Sequence, residues 1–300
     1  MVFRSIIIYA LLSLCSFSAQ TFTVVTYNVE NYFLNDFANR KAKTEASRAK
    51  VAEVIASIKP DILALQEMGR KEALQDLRQR LSKKGLIYSQ VVFLVGADPA
   101  IHLAVLSRFP IVKNHSKTNA TYLLERKRFQ VRRGFVEIEI QVGGSYKFTL
   151  FNAHLKSMRQ VAFADQAEMR LEEARVLRGL IEKRLQMHPD ENILLMGDLN
   201  DVPSRDTVKV LAGKGIAKLV DLRPSEKNDG WSGKEAGDLS RRITWTHFYK
   251  TEDQFSRLDY IMVSRGMARE LDSSYVHVMT DWGAASDHRP VVARFVAKER

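Results

Sequence analysis

Apolar residues recur along the chain in two periods, one suited to strands and one to helices. Residues 22–28, Phe-Thr-Val-Val-Thr-Tyr-Asn, are β-branched and aromatic and predict a strand. A helix ending near Lys59-Pro60 follows, with Val51, Val54, Ile55 and Ile58 on one face. Asp-Ile-Leu-Ala-Leu-Gln-Glu, 61–67, is a short apolar strand that ends in acid. Ala73, Leu74, Leu77 and Leu81 mark a second helix, and strands are expected near 86–95 and 101–107. Residues 135–154 predict a hairpin around Gly143-Gly144, with Val136, Ile138, Ile140 and Val142 alternating with polar residues. A long helix over about 160–187 carries Ala167, Leu171, Ala174, Leu177, Ile181 and Leu185 on its apolar face. Further strands are expected at 192–198, 258–264 and 290–297. No repeat or Pro-rich linker divides this alternation, so residues 20–300 read as one α/β domain. The Gly- and charge-rich stretch 223–241 reads as a mobile loop.

The first nineteen residues follow a different pattern. Arg4 precedes the apolar run Ile6-Ile7-Ile8-Tyr9-Ala10-Leu11-Leu12, and small residues follow at Ser16, Ser18 and Ala19. A basic start, a short apolar stretch and a small-residue exit make a secretory signal peptide over 1–19, and a secreted or periplasmic location. No segment approaches the roughly 20 apolar residues of a membrane span, so no stable membrane insertion is expected after cleavage. Cleavage would also remove Cys15, the only cysteine, and with it any disulfide, thiolate nucleophile or Cys-type zinc site.

The strand ends carry the candidate chemistry. Asn28, Glu67, Asn152 with His154, and Asp198 with Asn200 each close an apolar run. Asp259 opens one strand, and Asp287-His288 stands just before another. One such residue is an ordinary turn former. Six successive strands ending in carboxylate, amide or imidazole imply a shared cleft, where α/β folds gather such ends. Carboxylates and amides with few histidines make an oxygen-rich site suited to Mg²⁺ or Mn²⁺. There is no H-E-x-x-H, which disfavours zinc.

Seven short segments then stand in a telling order: Thr26-Tyr27-Asn28-Val29-Glu30-Asn31, Leu65-Gln66-Glu67, Leu106-Ser107-Arg108-Phe109-Pro110, Asn152-Ala153-His154-Leu155, Gly197-Asp198-Leu199-Asn200, Arg257-Leu258-Asp259-Tyr260-Ile261 and Ser286-Asp287-His288-Arg289-Pro290. Together they resemble the endonuclease/exonuclease/phosphatase superfamily, over about residues 22–297. The resemblance implies a four-layer α/β sandwich with the site at one edge of two packed sheets. It implies Glu67 as principal metal ligand, with Asn28 and Asp287 beside the metal. It implies that Asp198 orients or deprotonates the attacking water and that Asn200 steadies it. His288 would donate to a phosphate oxygen, with Asp259 fixing its tautomer. His154 matches the family's N-x-H histidine, a candidate general acid for the leaving oxygen. Where related enzymes pair that histidine with an acid, only Asp98 is on offer here.

Charge bears on the substrate. The chain has 46 Lys+Arg against 35 Asp+Glu, a net +11 that suits polyanionic partners or simply a soluble surface. Residues 121–133 hold Arg126, Lys127, Arg128, Arg132 and Arg133 beside Tyr122 and Phe129, a mixture suited to a phosphate backbone with bases to stack, or to a solvated loop. Arg133, just before Gly134, sits where family members often place a phosphate-contacting arginine; Arg128, Arg132 and Asn152 are further substrate-binding candidates. Trp231 and the Arg241-Arg242 pair are ambiguous. The favoured reading is a monomeric, exported, Mg²⁺-dependent nuclease. A phosphatase or lipid phosphodiesterase uses the same residues with a different rim. A non-catalytic binding protein would need a broken constellation, and none of these positions is broken.

Overall fold

In the computed structural model, which describes residues 20–227 and 245–298, β1 (Thr21–Tyr32) runs on past the expected strand. It is followed by α1 (Glu45–Ile58), β2 (Ile62–Met68) and α2 (Lys71–Lys83). Next come β3 (Gln90–Leu94), β4 (His102–Ser107), β5 (Ile111–Asn114) and two short strands, β6 (Thr121–Leu124) and β7 (Lys127–Gln130). The expected hairpin is β8 (Phe135–Val142) and β9 (Tyr146–His154), followed by α3 (Gln166–Met187) and β10 (Ile193–Asp198). Then follow α4 (Asp206–Ala212), β11 (Val220–Asp221), β12 (Ser225–Lys227), β13 (His247–Tyr249) and β14 (Gln254–Ser256). The chain closes with β15 (Asp259–Val263), α5 (Arg265–Ala268), β16 (Leu271–His277) and β17 (Val291–Val296).

Two large mixed sheets result. One has seven strands in the order β12-β16-β17-β1-β2-β4-β3, the other six in the order β11-β15-β10-β9-β8-β5. At the centre of each, two strands run parallel: β1 beside β2, and β9 beside β10. Successive side chains of a strand point to opposite faces, and here both faces are covered. Phe22, Val24, Ile62 and Ala64 pack inward against Ile138, Phe148, Leu150 and Met196 of the other sheet. On the outer face of the first sheet, Val25, Leu63 and Leu65 meet Val51 and Ile55 of α1 and Leu74 and Leu77 of α2. On that of the second, Phe151, Leu195 and Tyr260 meet Leu177 and Ile181 of α3. The architecture is the expected four-layer sandwich. Truncating one of these fully buried leucines to alanine costs about 2–5 kcal/mol.

A buried polar chain bridges the sheets near their site edge. Gln66 Nε2 donates to Thr26 Oγ1 at 3.0 Å and to Asn152 Oδ1 at 2.7 Å. Asn152 Nδ2 donates to the carbonyls of Leu65 and Ala104 at 3.2 and 3.1 Å. Asn152 was expected to touch substrate. Instead it is fully buried, its amide engaged at both ends inside the core, where it ties one sheet to the other.

Several expected boundaries shift for local reasons. The strand expected from residue 86 begins at Gln90, because Leu86 N still bonds the end of α2 and the Tyr88 hydroxyl is held by the Pro60 carbonyl. The strand near 101 begins at His102, since Asp98 Oδ1 draws in the amides of Ala100 and Ile101. The long helix starts at Gln166 rather than 160: Asp165 caps it, accepting from the amides of Ala167 and Glu168. Of its expected apolar face, Ala174, Leu177, Ile181 and Leu185 are buried. Ala167 is exposed and Leu171 half-buried, while Arg170, Glu173 and Arg178 are buried with polar partners. Residues 1–19 and most of 223–241, including Trp231 and the Arg241-Arg242 pair, lie outside the described residues.

Candidate active site

The ends of β1, β2, β9, β10 and β15 converge on one edge, and their backbone is irregular there. The β1–β2 register shifts between Asn28 and Tyr32, and the β2–β4 register shifts between Leu65 and Met68. Glu30, Asn31 and Glu67 lie in these bulges with φ of 45°, 47° and 61°. Positive φ is uncommon outside glycine and marks stored strain, and bulges re-aim side chains. The consequence is local: Glu67 is half-buried between the fully buried Gln66 and Met68. Its Oε2 is fixed by the Asn31 amide at 3.0 Å.

Asp198 lies between two imidazoles. Its Oδ2 is 3.5 Å from His154 Nε2 and 3.8 Å from His288 Nε2. The same oxygen accepts from Asn28 Nδ2 at 3.0 Å, and Oδ1 accepts from the Asn200 amide at 2.8 Å. Burial, with the charge of Asp259 adding and His288 opposing, pushes the Asp198 carboxyl up to about 7. Asn200 adopts φ 52°, and its Nδ2 donates to the Leu155 carbonyl at 3.0 Å. Gly197 makes this approach possible. A Cβ there would lie 2.0 Å from the Ala153 carbonyl oxygen, so only glycine lets β10 close on β9 beside His154.

The two histidines differ in what stands behind them. His288 Nδ1 meets Asp259 Oδ2 at 2.8 Å. Burial alone would lower this imidazole, but the charges of Asp259 and Asp198 win and hold it well above the ordinary histidine range. His154 Nδ1 has no hydrogen-bond partner among the described residues. Burial and the cations Arg133, His288 and Arg40 hold that imidazole well below the ordinary range. Asp98 does not stand behind it: that carboxylate is 3.6 Å from both Arg132 and Arg133. His154 is therefore neutral near neutral pH. Its Nε2 faces Asp198 at 3.5 Å and Glu67 at 3.9 Å.

Asn28 was expected among metal ligands. Its Oδ1 accepts the Glu30 amide at 3.0 Å, which leaves that oxygen a second lone pair, and its Nδ2 donates to Asp198 Oδ2 at 3.0 Å. Asp287 does stand at the edge, its Oδ1 3.9 Å from His288 Nε2 and its Oδ2 3.7 Å from His247 Nε2. Two further residues went unread in the sequence. Glu30 Oε2 accepts the Asp287 amide at 3.2 Å and lies 3.7 Å from Lys43 Nζ, whose side chain is only 6% exposed. Burial and the charge of Asp287 raise the Glu30 carboxyl; burial lowers the Lys43 ammonium. Glu30 was visible only as part of a motif, and Lys43 sits in a polar stretch with no pattern at all.

The basic residues divide into two groups. Arg133 is buried beside the site and donates to the Leu155 carbonyl at 3.2 Å, the oxygen that also holds Asn200. Arg132 is exposed next to it. Arg128 stands apart, on the β6–β7 hairpin, donating across the strands to Thr121 Oγ1 at 3.0 Å. The stretch 121–133 is thus partly a two-stranded hairpin, turned by Glu125 and Arg126 at φ 47° and 64°.

Residues 25–288 match the sequence profile of the Endonuclease/Exonuclease/phosphatase family. The chain belongs to this family. Its members are metal-dependent hydrolases of phosphoesters. Among curated protein sequences none matches the chain. Similar solved structures include sphingomyelinase C from Streptomyces griseocarneus, at 19% identity over 92% of this chain and 99% of that one, TM-score 0.64. The human Nocturnin catalytic domain is 17% identical over 93% and 95%, TM-score 0.66. A family protein from Bacteroides thetaiotaomicron is 19% identical over 94% and 100%, TM-score 0.63. At these identities the likeness is one of fold. The donor set fits the family's metal requirement: Asp198, Asp259 and His288 bring ligand atoms within 4.8 Å of one another, as do His247, Asp287 and His288, and burial with like charge from Asp287 and Glu67 raises the neighbouring Glu30. Asp259 Oδ1 is buried and without a hydrogen-bond partner among the described residues.

Proposed function

We propose that this protein is an exported, Mg²⁺- or Mn²⁺-dependent phosphodiesterase that cuts nucleic acid. The observation that carries the reading is the meeting of Asp198 with both imidazoles within 4 Å, at the edge where Glu67 and Asp287 also end. Export is supported by the pattern of residues 1–19, and a nucleic-acid substrate by the arginines beside the site.

Glu67 and Asp287 would hold the metal, which when bound neutralises charge on the phosphate and on the leaving oxygen. The rest follows from the chain's own groups. Asp198, steadied by Asn28 and Asn200, accepts a hydrogen bond from the attacking water and draws off its proton as the oxygen closes on phosphorus. His288, charged through its bond to Asp259, donates Nε2–H to a non-bridging oxygen where negative charge grows. His154, neutral and buried, donates a hydrogen bond on the opposite flank of Asp198. Arg133, buried on the His154 flank, contacts the phosphate from that side.

The test is a plasmid-nicking assay run beside a p-nitrophenyl phosphodiester, a phosphomonoester and sphingomyelin. Nicking and diester cleavage, both stopped by EDTA, are the expected result. Turnover of only the monoester or only sphingomyelin would replace the nuclease reading by that substrate class. Retention of residues 1–19 on the protein recovered outside the cytoplasm would overturn the cleaved-signal reading.

A further inference from the structure

Beside His154 the surface opens into a second cavity of about 290 Å³. Five cationic side chains line it: Arg40, Arg132, Arg133, Lys156 and Arg159. Two carboxylates answer them. Asp98 is shared by Arg132 and Arg133, and buried Glu173 accepts the Lys156 amide at 2.7 Å and the Arg132 amide at 3.3 Å from below. The excess is built in. Lys156 is oriented by the carbonyls of Ser157 and Arg159 at 2.9 and 2.7 Å. Gly96 packs so closely under the arginine pair that a Cβ would meet the Arg133 carbonyl carbon at 2.5 Å. Burial and the charge of Arg133 lower the Lys156 ammonium to about 8, which is the state of a cation crowded by cations. An anion in the cavity would relieve that crowding.

Hydrogen bonds tie the cavity wall to the reaction centre. Arg133 and Asn200 share the Leu155 carbonyl, and Arg40 donates to Asn31, whose amide holds Glu67. Its outer wall is aromatic. Phe163, 57% exposed, stacks on Phe129 at 6.1 Å and 20°, and Phe129 stacks in turn on Tyr122. A single scissile phosphate does not need five further cations, and a lone anion does not need an exposed ring.

We infer that the cavity is a second phosphate subsite: it takes the phosphate next to the scissile one on a nucleic acid strand, with a neighbouring base laid on Phe163. This rests on the phosphodiesterase reading and narrows it to substrates with two phosphates one nucleoside apart. A phosphodiester with a single phosphate leaves the subsite empty.

The test uses p-nitrophenyl esters of thymidine 5′-phosphate and thymidine 3′-phosphate, each with and without a phosphate on the other hydroxyl. The wild type should prefer the doubly phosphorylated member of at least one pair by about tenfold in kcat/KM, the scale of one charge-assisted contact. Arg159→Gln should erase most of that preference, while Arg108→Gln, on an exposed arginine paired with Asp61 at the far end of β2, should leave it intact. Calorimetric binding of thymidine 3′,5′-bisphosphate in EDTA gives a second readout. Arg159→Gln should weaken it, and Phe163→Leu should weaken it more than it weakens pyrophosphate. Turnover of all four esters with no preference in either pair overturns the subsite and leaves the phosphodiesterase standing. No turnover of any of them overturns both.

Discussion

His154 and His288 occupy matching places, each with Nε2 toward Asp198, and yet their surroundings shift them in opposite directions. Behind His288 stands Asp259 at 2.8 Å; toward His154 come Arg133 and Arg40, with Asp98 drawn away into its own arginine pair. The same side chain is made a cation by a carboxylate and a neutral donor by its lack. The site is therefore lopsided. One flank carries positive charge on an imidazole, and the other carries it on arginines that stand further out and face the cavity. A histidine at a strand end says that chemistry is near, and the group at its back says which chemistry.

The largest test of the arrangement removes what both flanks share. Glu67→Ala should lower activity by about three orders of magnitude, the scale of losing a principal electrostatic stabiliser. EDTA should do the same to the wild type, with Mg²⁺ or Mn²⁺ restoring it. A folded Glu67→Ala protein with near-normal rates, or a wild type active in chelator, would remove the metal from the account.

The carboxylate-backed flank is broken next. His288→Ala and Asp259→Ala should each cost about 10²–10⁴-fold in kcat, and the double variant should be little worse than the worse single. Asp259 acts only through the imidazole, so the losses overlap rather than add. Full additivity in the measured rates would show that the pair is not a unit.

How far these features could be read in advance depends on whether they are local. Apolar runs at β1, β2, β9 and β10, ending in Asn28, Glu67, His154 and Asp198, made one α/β domain legible, while the four layers came from the family resemblance that those ends carry. The hairpin at 135–154 announced itself by alternation. The start of α3 was blurred because Asp165, an N-cap, stands within a stretch of mixed residues from 160, and the burial of Arg170, Glu173 and Arg178 beside Ala174, Leu177 and Ile181 was hidden because charged residues look like surface. The β6–β7 hairpin was hidden by its charge, since its turn uses Glu125 and Arg126 where asparagine or glycine would have signalled it. Glu30 and Lys43 required tertiary contact, as did the fate of Asp98: no spacing shows that an acid will choose two arginines over a histidine.

The histidine contrast can be read directly by NMR titration of the metal-free protein. His288 should keep its proton well above the ordinary histidine range, and His154 should stay neutral well below it. Arg133→Gln removes the first of the cations that depress His154 and should raise its midpoint, while moving His288 far less. Two histidines titrating together near the ordinary value would dissolve the comparison.

The smallest effect concerns the cation-rich flank itself. Lys156 faces Arg133, Arg132, Arg170 and Glu173, and burial with the arginine charges brings its ammonium down to about 8. Below that pH it is charged and adds to the attraction for a phosphate backbone; as the pH rises through that value it becomes neutral and the attraction weakens. Duplex binding should therefore lose strength with rising pH, and the log–log salt dependence should flatten by about 0.9, the value of one phosphate contact. Lys156→Met should bind at all pH values as the wild type does at the high end. Neutralising Arg132 and Arg133 should flatten the slope further, whereas Arg128→Gln, out on its hairpin, separates a backbone that tracks past the cavity from one that ends in it. A slope that ignores both pH and Lys156→Met would mean that no phosphate reaches this lysine, and the strand would have to leave the site by another path.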